Sequence, residues 1–359
     1  MRSTLTAFAI SGTLLISHAP NSRAGDLTPP SGAIQASGLI PINPQTATFP
    51  IDINQPGSYI LLGNLTLSAA TNGITISASD VTLDLNGFTL DGAGVGVEGI
   101  ISGVAATENV LVRNGTVKNF VGGGVVLFNT TRAIIEDMRA VDNAIEGIRA
   151  ADEAIVRRCV SSGSGGTGIY VADRSLVTDC QVQGEAATSL GVYMNDHSTV
   201  ENCQITSTTS HGIRIFGEQC RVTNNTVRAD SGSGVGIFQD NIGTGQSVID
   251  SNFVAGFNPG IEVSAGLALG EVMIYRNTIL DAAGTVGYTA GGNIIPVGLS
   301  SNPDTADAWD NLWWVTIIRA EDEPTTREPV PTPEFVHPDE IRRARGTRTP
   351  DRSPSDTRR

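Results

Sequence analysis

The sequence is poor in the residues that build a large globular core. Aromatic residues make up only 5% of the 359 residues, whereas glycine occurs 41 times. Thin layers of small aliphatic side chains therefore fit this composition better than one bulky core. Lysine occurs once, at Lys118, and the net charge of -14 argues against nucleic acid as a partner.

Several signatures of catalysis and metal binding are also missing. The sequence contains no Cys-x-x-Cys pair with zinc spacing, no phosphate loop and no dinucleotide-binding glycine motif. The Ser, His and Asp order of the known hydrolase classes is absent too. These absences exclude the most recognisable nucleotide-binding and nucleophilic enzymes and leave repeat architecture as the main source of information.

The N-terminus has the pattern of a secretory signal peptide. A basic Arg2 precedes an apolar run from Leu5 to Ile16, and Ser22-Arg23-Ala24 stands before Gly25-Asp26. We expect cleavage after Ala24 and a protein that is secreted, periplasmic or at the cell surface. The apolar run is too short to span a membrane, and no later stretch is long enough either.

One short pattern recurs between residues 146 and 238 and determines the fold prediction. Apolar residues that point inward alternate with polar or aromatic residues that point outward, which indicates short strands. No stretch between these strands has the length of a helical crossover. A solenoid remains, in which equivalent residues stack about 4.8 Å apart along the axis. The repeated units are Gly147-Ile148-Arg149, Gly168-Ile169-Tyr170, Gly191-Val192-Tyr193, Gly212-Ile213-Arg214 and Gly236-Ile237-Phe238.

A second position repeats on the inner side of the predicted coils. Stacked asparagines can hydrogen-bond to each other and to the turn backbone, so they suit a buried ladder. The stacked cysteines are close enough for one disulfide, but their Met and Asn neighbours favour small buried thiols. In chain order the column is Met138, Cys159, Cys180, Cys203, Asn225, Asn252 and Asn277.

The repeats, glycines and Asn ladder together resemble the right-handed parallel β-helix proteins, the superfamily of pectate lyases and polygalacturonases. The resemblance implies an all-β, right-handed parallel β-helix solenoid of roughly nine to ten coils. Trp309, Trp313 and Trp314 are interpreted as part of a C-terminal cap, with an aromatic platform for sugar as the alternative. The predicted segments are a signal peptide at 1–24, an N-terminal leader and cap at 25–56, the β-helix at 57–290, the C-terminal cap at 291–320 and a disordered tail at 321–359.

One outward column suggests a binding surface. Tyrosine rings can stack on sugars and guanidinium groups can pair with uronate or sulfate, so we expect this row to bind polysaccharide. The alternative is that outward strand positions simply favour long and aromatic side chains. The predicted substrate-binding residues are Arg149, Tyr170, Tyr193, Arg214 and Phe238.

Carboxylates recur in the turn that follows this row. Asp152, Asp173, Asp196 and Asp240 occupy it, with Glu153 and Glu218 adjacent. Stacked carboxylates repel, so raised pKa values or a bound cation are expected, with Asp152, Asp173 and Asp196 as the possible Ca²⁺ ligands. Three uses remain open: a glycosidase carboxyl pair, a Ca²⁺-assisted or Arg-assisted lyase, or turn residues without chemistry.

A histidine adds to the catalytic candidates. Ser210-His211-Gly212-Ile213 resembles the Gly-His-Gly-Ile segment of polygalacturonases, whose histidine lies in the active site. The Asn-Thr-Asp and Asp-Asp carboxylates of that family have no counterpart here. The resemblance implies a lyase or glycoside hydrolase, while a non-catalytic surface or adhesive module is the competing hypothesis. The catalytic candidates are Asp173, Asp196, His211 and Arg214, and no cofactor beyond a possible Ca²⁺ is required.

Overall fold

The structure is a computed structural model in which every regular element of the described residues is a β-strand. This confirms the predicted parallel β-solenoid, which has about nine turns. Within the described residues no helix is long and apolar enough to cross a membrane. The described residues are 38–184, 190–207, 210–229, 234–241, 247–257, 259–263, 272–280, 288–290, 293–294, 308–309 and 312–314.

A parallel sheet of 12 strands, which we call the front sheet, carries the glycine repeat. Each strand alternates inward aliphatic and outward side chains, as in Thr167–Val171, where Ile169 and Val171 are fully buried. Only its last two strands pair antiparallel. The strands are Ile51–Ile53, Ile74–Ile76, Ile100–Ser102, Val125–Leu127, Glu146–Ala150, Thr167–Val171, Leu190–Met194, His211–Phe216, Val235–Asn241, Ile261–Val263, Tyr288–Ala290 and Asn293–Ile294.

The remaining sides of each coil form a sheet of 21 strands, which we call the back sheet. Most coils contribute two short strands to it, separated by a corner. A further pair, Thr107–Glu108 and Thr130–Thr131, forms a separate small sheet. The back-sheet strands are Leu39–Ile42, Gly57–Leu61, Leu65–Thr66, Val81–Asp84, Thr89–Asp91, Leu111–Lys118, Ile134–Val141, Ile155–Arg157, Val160–Ser162, Leu176–Thr178, Gln181–Gln183, Thr199–Glu201, Gln204–Ser207, Arg221–Thr223, Thr226–Ala229, Ser247–Asp250, Phe253–Ala255, Val272–Tyr275, Thr278–Leu280, Ala308–Trp309 and Leu312–Trp314.

Corners in the left-handed backbone conformation bend the chain from one strand to the next. In one coil Arg174 has φ of 54° and Asp179 has φ of 55°. Short polar side chains tolerate this conformation best, and many of the corner residues are Asn or Asp. The corners stack from coil to coil, so the solenoid keeps one cross-section over much of its length.

The repeat glycines serve close packing rather than the corners. A Cβ atom on Gly212 would lie 2.6 Å from the carbonyl oxygen of Gly236 and would also collide with Val227. On Gly147 it would lie 2.7 Å from the carbonyl oxygen of Gly168. These glycines lie inside the strands, at positions where a Cβ atom would collide with the next coil.

The inner ladder of asparagines is confirmed. The side-chain amide of Asn225 donates to Asn252 Oδ1 at 3.0 Å, and that of Asn252 donates to Asn277 Oδ1 at 3.0 Å. Each amide nitrogen also donates to a backbone carbonyl, as Asn252 does to Val222 at 2.9 Å. The ladder thus satisfies buried backbone groups at the corner of each coil.

The four cysteines, all within the described residues, are buried free thiols.

Parallel pairing extends beyond the predicted β-helix at both ends, because Leu39–Ile42 pairs with Gly57–Leu61 and Leu312–Trp314 pairs with Thr278–Leu280. Part of each predicted cap is therefore built as solenoid strands. The predicted signal peptide at 1–24 and tail at 321–359 lie outside the described residues.

We predict that Asn252→Ala lowers the free energy of unfolding by about 3 kcal/mol, because it leaves the buried Asn225 backbone N–H without its acceptor and removes the ladder hydrogen bonds to the Asn225 amide and the Val222 carbonyl. Chemical denaturation followed by circular dichroism would measure the change. Gln204→Ala is the control, since it removes an exposed amide from a back-sheet strand and should cost less than about 0.5 kcal/mol. Equal losses would contradict the role of the ladder.

Candidate functional site

The predicted outward row exists as one column of the front sheet. The strand registers pair Arg149 with Tyr170, Tyr170 with Tyr193, Tyr193 with Arg214 and Arg214 with Phe238. The two tyrosine rings stack with centroids 4.9 Å apart and planes 9° from parallel. The Arg149 and Arg214 guanidinium carbons lie 4.9 and 5.6 Å from the neighbouring tyrosine ring centroids. These four side chains form a continuous stack, which we call the Arg–Tyr ladder.

The ladder presents the edges of its tyrosine rings rather than their faces. Tyr170 lies between Arg149 and Tyr193, and Tyr193 lies between Tyr170 and Arg214. Both faces of each ring are therefore covered by neighbouring coils. A sugar cannot stack flat on these two rings as the sequence suggested, so phenol hydroxyls and guanidinium N–H groups remain as the points of contact.

Each ladder arginine already has a carboxylate partner. Arg149 pairs with Glu146 at 3.2 Å, and Arg214 donates to Asp240 through Nε at 3.1 Å and through a second, shorter contact. Asp240 lies where the register shifts between this strand and the preceding one, at a β-bulge. This bulge turns the Asp240 side chain toward Arg214.

A second outward column, which the sequence analysis did not predict, runs beside the ladder, and we call it the trough because small residues fill its centre. In each coil the trough residue directly follows one inward residue of the front sheet. These inward residues pair in register and are Leu127, Ala150, Val171, Met194 and Ile215. In the three central coils the trough residues are small, and at either end they are phenylalanines that are each 43% exposed. In order the trough residues are Phe128, Ala151, Ala172, Asn195 and Phe216.

The trough could have been found by counting. Each of its residues stands four positions after a repeat glycine, from Gly124 to Gly212. The earlier prediction followed only the position two residues after each glycine. The two phenylalanines are in contact with the ladder, since the Arg149 guanidinium carbon lies 6.0 Å from the Phe128 ring and the Phe216 ring lies 6.1 Å from the Tyr193 ring.

Carboxylates line the far side of the trough. Asp152, Asp173 and Asp196 occupy the same corner in successive coils, because each carbonyl accepts from the corner residue of the previous coil. Glu218 continues this row by the same criterion, whereas Asp240 lies in the bulge beside Arg214. The pKa of Asp173 is raised, first by burial and then by the charges of Asp152 and Asp196.

The described residues contain no group of three or more His, Cys, Asp or Glu side chains arranged to hold a metal ion. The row of Asp152, Asp173 and Asp196 is linear, with one carboxylate in each coil, and Asp152 and Asp196 each accept a backbone N–H from the next coil. The Ca²⁺ hypothesis for these residues stays a prediction.

His211 lies at the other edge of the ladder. Its ring packs against Phe238 with centroids 4.7 Å apart. Burial lowers the pKa of His211, the Arg214 charge lowers it further, and Asp240 opposes the shift. The pKa of Tyr193 is raised by burial and by Tyr170. At neutral pH the site therefore contains a neutral imidazole and a protonated phenol, and Arg214 follows Tyr193 in the ladder column.

Three buried polar atoms on this face have no hydrogen-bond partner among the described residues: Arg149 Nε, Asn195 Oδ1 and His211 Nδ1. Buried polar atoms normally have a hydrogen-bond partner, so three unpaired ones on the same face mark it as the candidate site. The structure thus brings together all the predicted binding residues and the catalytic candidates His211 and Arg214. Asp173 and Asp196 lie across the trough from them.

The fold agrees with a known family. A family model described as right handed beta helix region matches residues 51–187 and 150–279. No curated protein matches the sequence.

Solved structures with the same fold include enzymes and a phage protein. The A-module of the Azotobacter vinelandii mannuronan C-5 epimerase AlgE4 has a TM-score of 0.60 at 14% identity, covering 77% of this chain and 84% of that one. The A-module of AlgE6 from the same organism has a TM-score of 0.51 at 13% identity, with coverages of 79% and 93%. The tailspike protein of E. coli bacteriophage HK620, solved as a double mutant with a pentasaccharide, has a TM-score of 0.50 at 12% identity, with coverages of 73% and 61%.

We predict that Asp173→Asn stabilises the protein at pH 7. Since the pKa of Asp173 is raised above 3.8, folding favours its protonated form, and stability is lost as pH rises through the folded-state pKa. The variant removes that loss, so its advantage should be present at pH 7 and disappear below pH 3.8. We expect a gain below about 1 kcal/mol because the carboxyl is close to solvent.

Thermal denaturation of both proteins across this pH range would measure the difference. Asp179→Asn is the matched control, because it removes the same charge from an exposed corner next to the back sheet. An equal gain from the control would show that only the net charge of -14 had been relieved.

Proposed function

The chain belongs to the right-handed β-helix family, and from that premise we propose that it binds an extended polysaccharide along the outer face of the front sheet. The observation that carries this proposal is the Arg–Tyr ladder, which repeats polar side-chain edges once per coil in register. A repeating surface of this kind suits a repeating ligand. Function on this fold has to be argued from the site, because the fold itself hosts many activities.

The dimensions of the trough favour a polymer over a single sugar. Phe128 and Phe216 are four coils apart, which corresponds to about 19 Å at the usual strand spacing. Their rings are exposed and can pack against the apolar faces of sugars, while Tyr170, Tyr193 and Asn195 offer hydrogen-bonding groups between them. The chain of sugars would lie parallel to the solenoid axis.

Two of the structural neighbours are consistent with this proposal. One is an enzyme whose name gives mannuronan as substrate, and another was solved with a bound pentasaccharide. At 14% and 12% identity they share only the fold with this chain, so they support the ligand class without identifying the ligand. An exported location, as the first 24 residues predict, would place the protein where such polymers occur.

Cleavage of the polysaccharide is a second candidate function. The raised pKa of Asp173 fits a proton donor, with Asp196 in the next coil as its possible carboxylate partner. The neutral imidazole of His211 beside Arg214 fits a base that removes a proton next to a uronate, with Ca²⁺ or Arg214 neutralising the carboxylate. A non-catalytic binding or adhesive module is the alternative.

We predict that Arg214→Ala weakens polysaccharide binding about tenfold or more, because it removes one end of the ladder and frees Asp240. Affinity electrophoresis or calorimetry with a panel of neutral and uronate polysaccharides would measure it. Arg221→Ala removes an exposed arginine from the back sheet and should bind as the parent does. Equal losses in both variants would place binding elsewhere.

Catalysis is tested on the same panel, with and without Ca²⁺, by assaying reducing sugar and the absorbance of unsaturated ends. For an enzyme we expect new chain ends that disappear in Asp173→Asn or in His211→Ala. Binding without new ends would leave a binding module and reject both catalytic roles.

A further inference from the structure

We infer that the ligand of this face is an uncharged polysaccharide, recognised through its hydroxyl groups, and not a polyuronate or sulfated glycan. The inference rests on the proposed function and specifies the chemical class of its ligand. It excludes the lyase candidate above, which needs a uronate, and leaves binding or glycoside hydrolysis. It follows from how charge is arranged across the ladder and the trough.

The arginines of the ladder offer little free positive charge. Arg149 has Glu146 as its ion-pair partner, and Arg214 has Asp240. A uronate that approached either guanidinium group would have to compete with a carboxylate fixed by the fold. Both guanidiniums also stack on tyrosine rings, which fixes their orientation.

The opposite wall of the trough is negative. Asp152, Asp173 and Asp196 stack in successive coils, and the raised pKa of Asp173 reflects burial together with their mutual repulsion. Among the described residues Arg174 is the cation that pairs with this row, at 3.8 Å from Asp152, and it lies closer to Glu153, at 3.3 Å. A polyanion in the trough would add its own charges to this row, and such like-charge juxtaposition is costly.

The ends of the ladder column are no more favourable to an anion. Glu262 follows Phe238 in register, and burial raises its pKa. Near the other end of the column, burial and the charge of Glu146 raise the pKa of Glu98. Carboxyl groups whose pKa values are raised lie in surroundings that already disfavour negative charge.

The same groups suit a neutral sugar polymer. Carboxylates are acceptors only, and sugar hydroxyls are donors that can pair with Asp152, Asp173 and Asp196 along the wall. The phenol hydroxyls of Tyr170 and Tyr193 complement them from the ladder side. At each end the exposed Phe128 or Phe216 ring adds an apolar contact that needs no charge on the sugar.

The test uses matched ligands that differ only in charge. Polygalacturonate, polymannuronate and polyglucuronate are each compared with their carboxyl-reduced forms, in which every carboxylate becomes a hydroxymethyl group. Dissociation constants are measured by calorimetry with the full-length protein, once with chelator and once with Ca²⁺. We expect that, in every pair that binds, the reduced polymer binds about tenfold or more tightly than its uronate parent in both conditions.

The three other outcomes are decisive. Tighter binding of a uronate than of its reduced form, with chelator or with Ca²⁺, overturns the inference but leaves the proposed function intact. Equal binding of both forms has the same meaning. Binding of neither form by the protein removes the proposed function, and the inference with it.

Charge variants distinguish the effect of the trough carboxylates on binding from the effect of the net charge of the protein. Asp173→Asn combined with Asp196→Asn keeps the shape of the wall. It should lower the ratio of the uronate dissociation constant to that of the reduced polymer several-fold. Asp179→Asn, next to the back sheet, should leave this ratio unchanged. An equal effect of both changes would show that overall charge, and not the trough, excludes the uronate.

Discussion

Coil-on-coil stacking in register at the spacing of β-strands is the constraint on which this structure depends. Because each residue lies directly above its equivalent, any side chain repeated in the sequence becomes a column in space. The inner columns are then selected for packing and hydrogen bonding, as in the ladder of Asn225, Asn252 and Asn277. The glycines follow from the same spacing, since a Cβ on Gly212 would meet the next coil.

On the outer surface the same stacking changes what a side chain can do. An isolated tyrosine offers two ring faces, but Tyr170 and Tyr193 cover each other and are covered in turn by arginines. Their hydroxyl edges are what a ligand meets. Exposed aromatic surface remains at the two ends of the trough, where Phe128 and Phe216 flank small residues.

The regular part of this design was predictable from the sequence. A period of 21 to 24 residues predicted the strands, the Asn ladder and the row from Arg149 to Phe238. The strand registers confirm the row and the side-chain hydrogen bonds confirm the ladder. The irregular part was not, because it depends on single insertions. An extra residue in the strand after Ile237 creates the bulge that sends Asp240 to Arg214. Nothing in the local sequence distinguishes that residue from a member of the Asp row.

The two sides of the solenoid treat charge differently. On the back sheet, opposite charges alternate from coil to coil, as Asp84 with Arg113 at 3.0 Å and Glu136 with Arg157 at 2.7 Å. At the front corner Asp152, Asp173 and Asp196 stack on one another instead. Backbone hydrogen bonds explain a side-chain oxygen at such a corner, but asparagine would supply that oxygen without repulsion.

The fold therefore does not require the negative charges of Asp152, Asp173 and Asp196. Natural proteins tend to accept such local conflicts where a site needs them. In this chain the conflict borders the trough, which lies between the exposed Phe128 and Phe216 rings. Since the repulsion between these carboxylates falls when they share hydroxyl donors, an uncharged sugar chain would relieve the strain that a polyanion would increase.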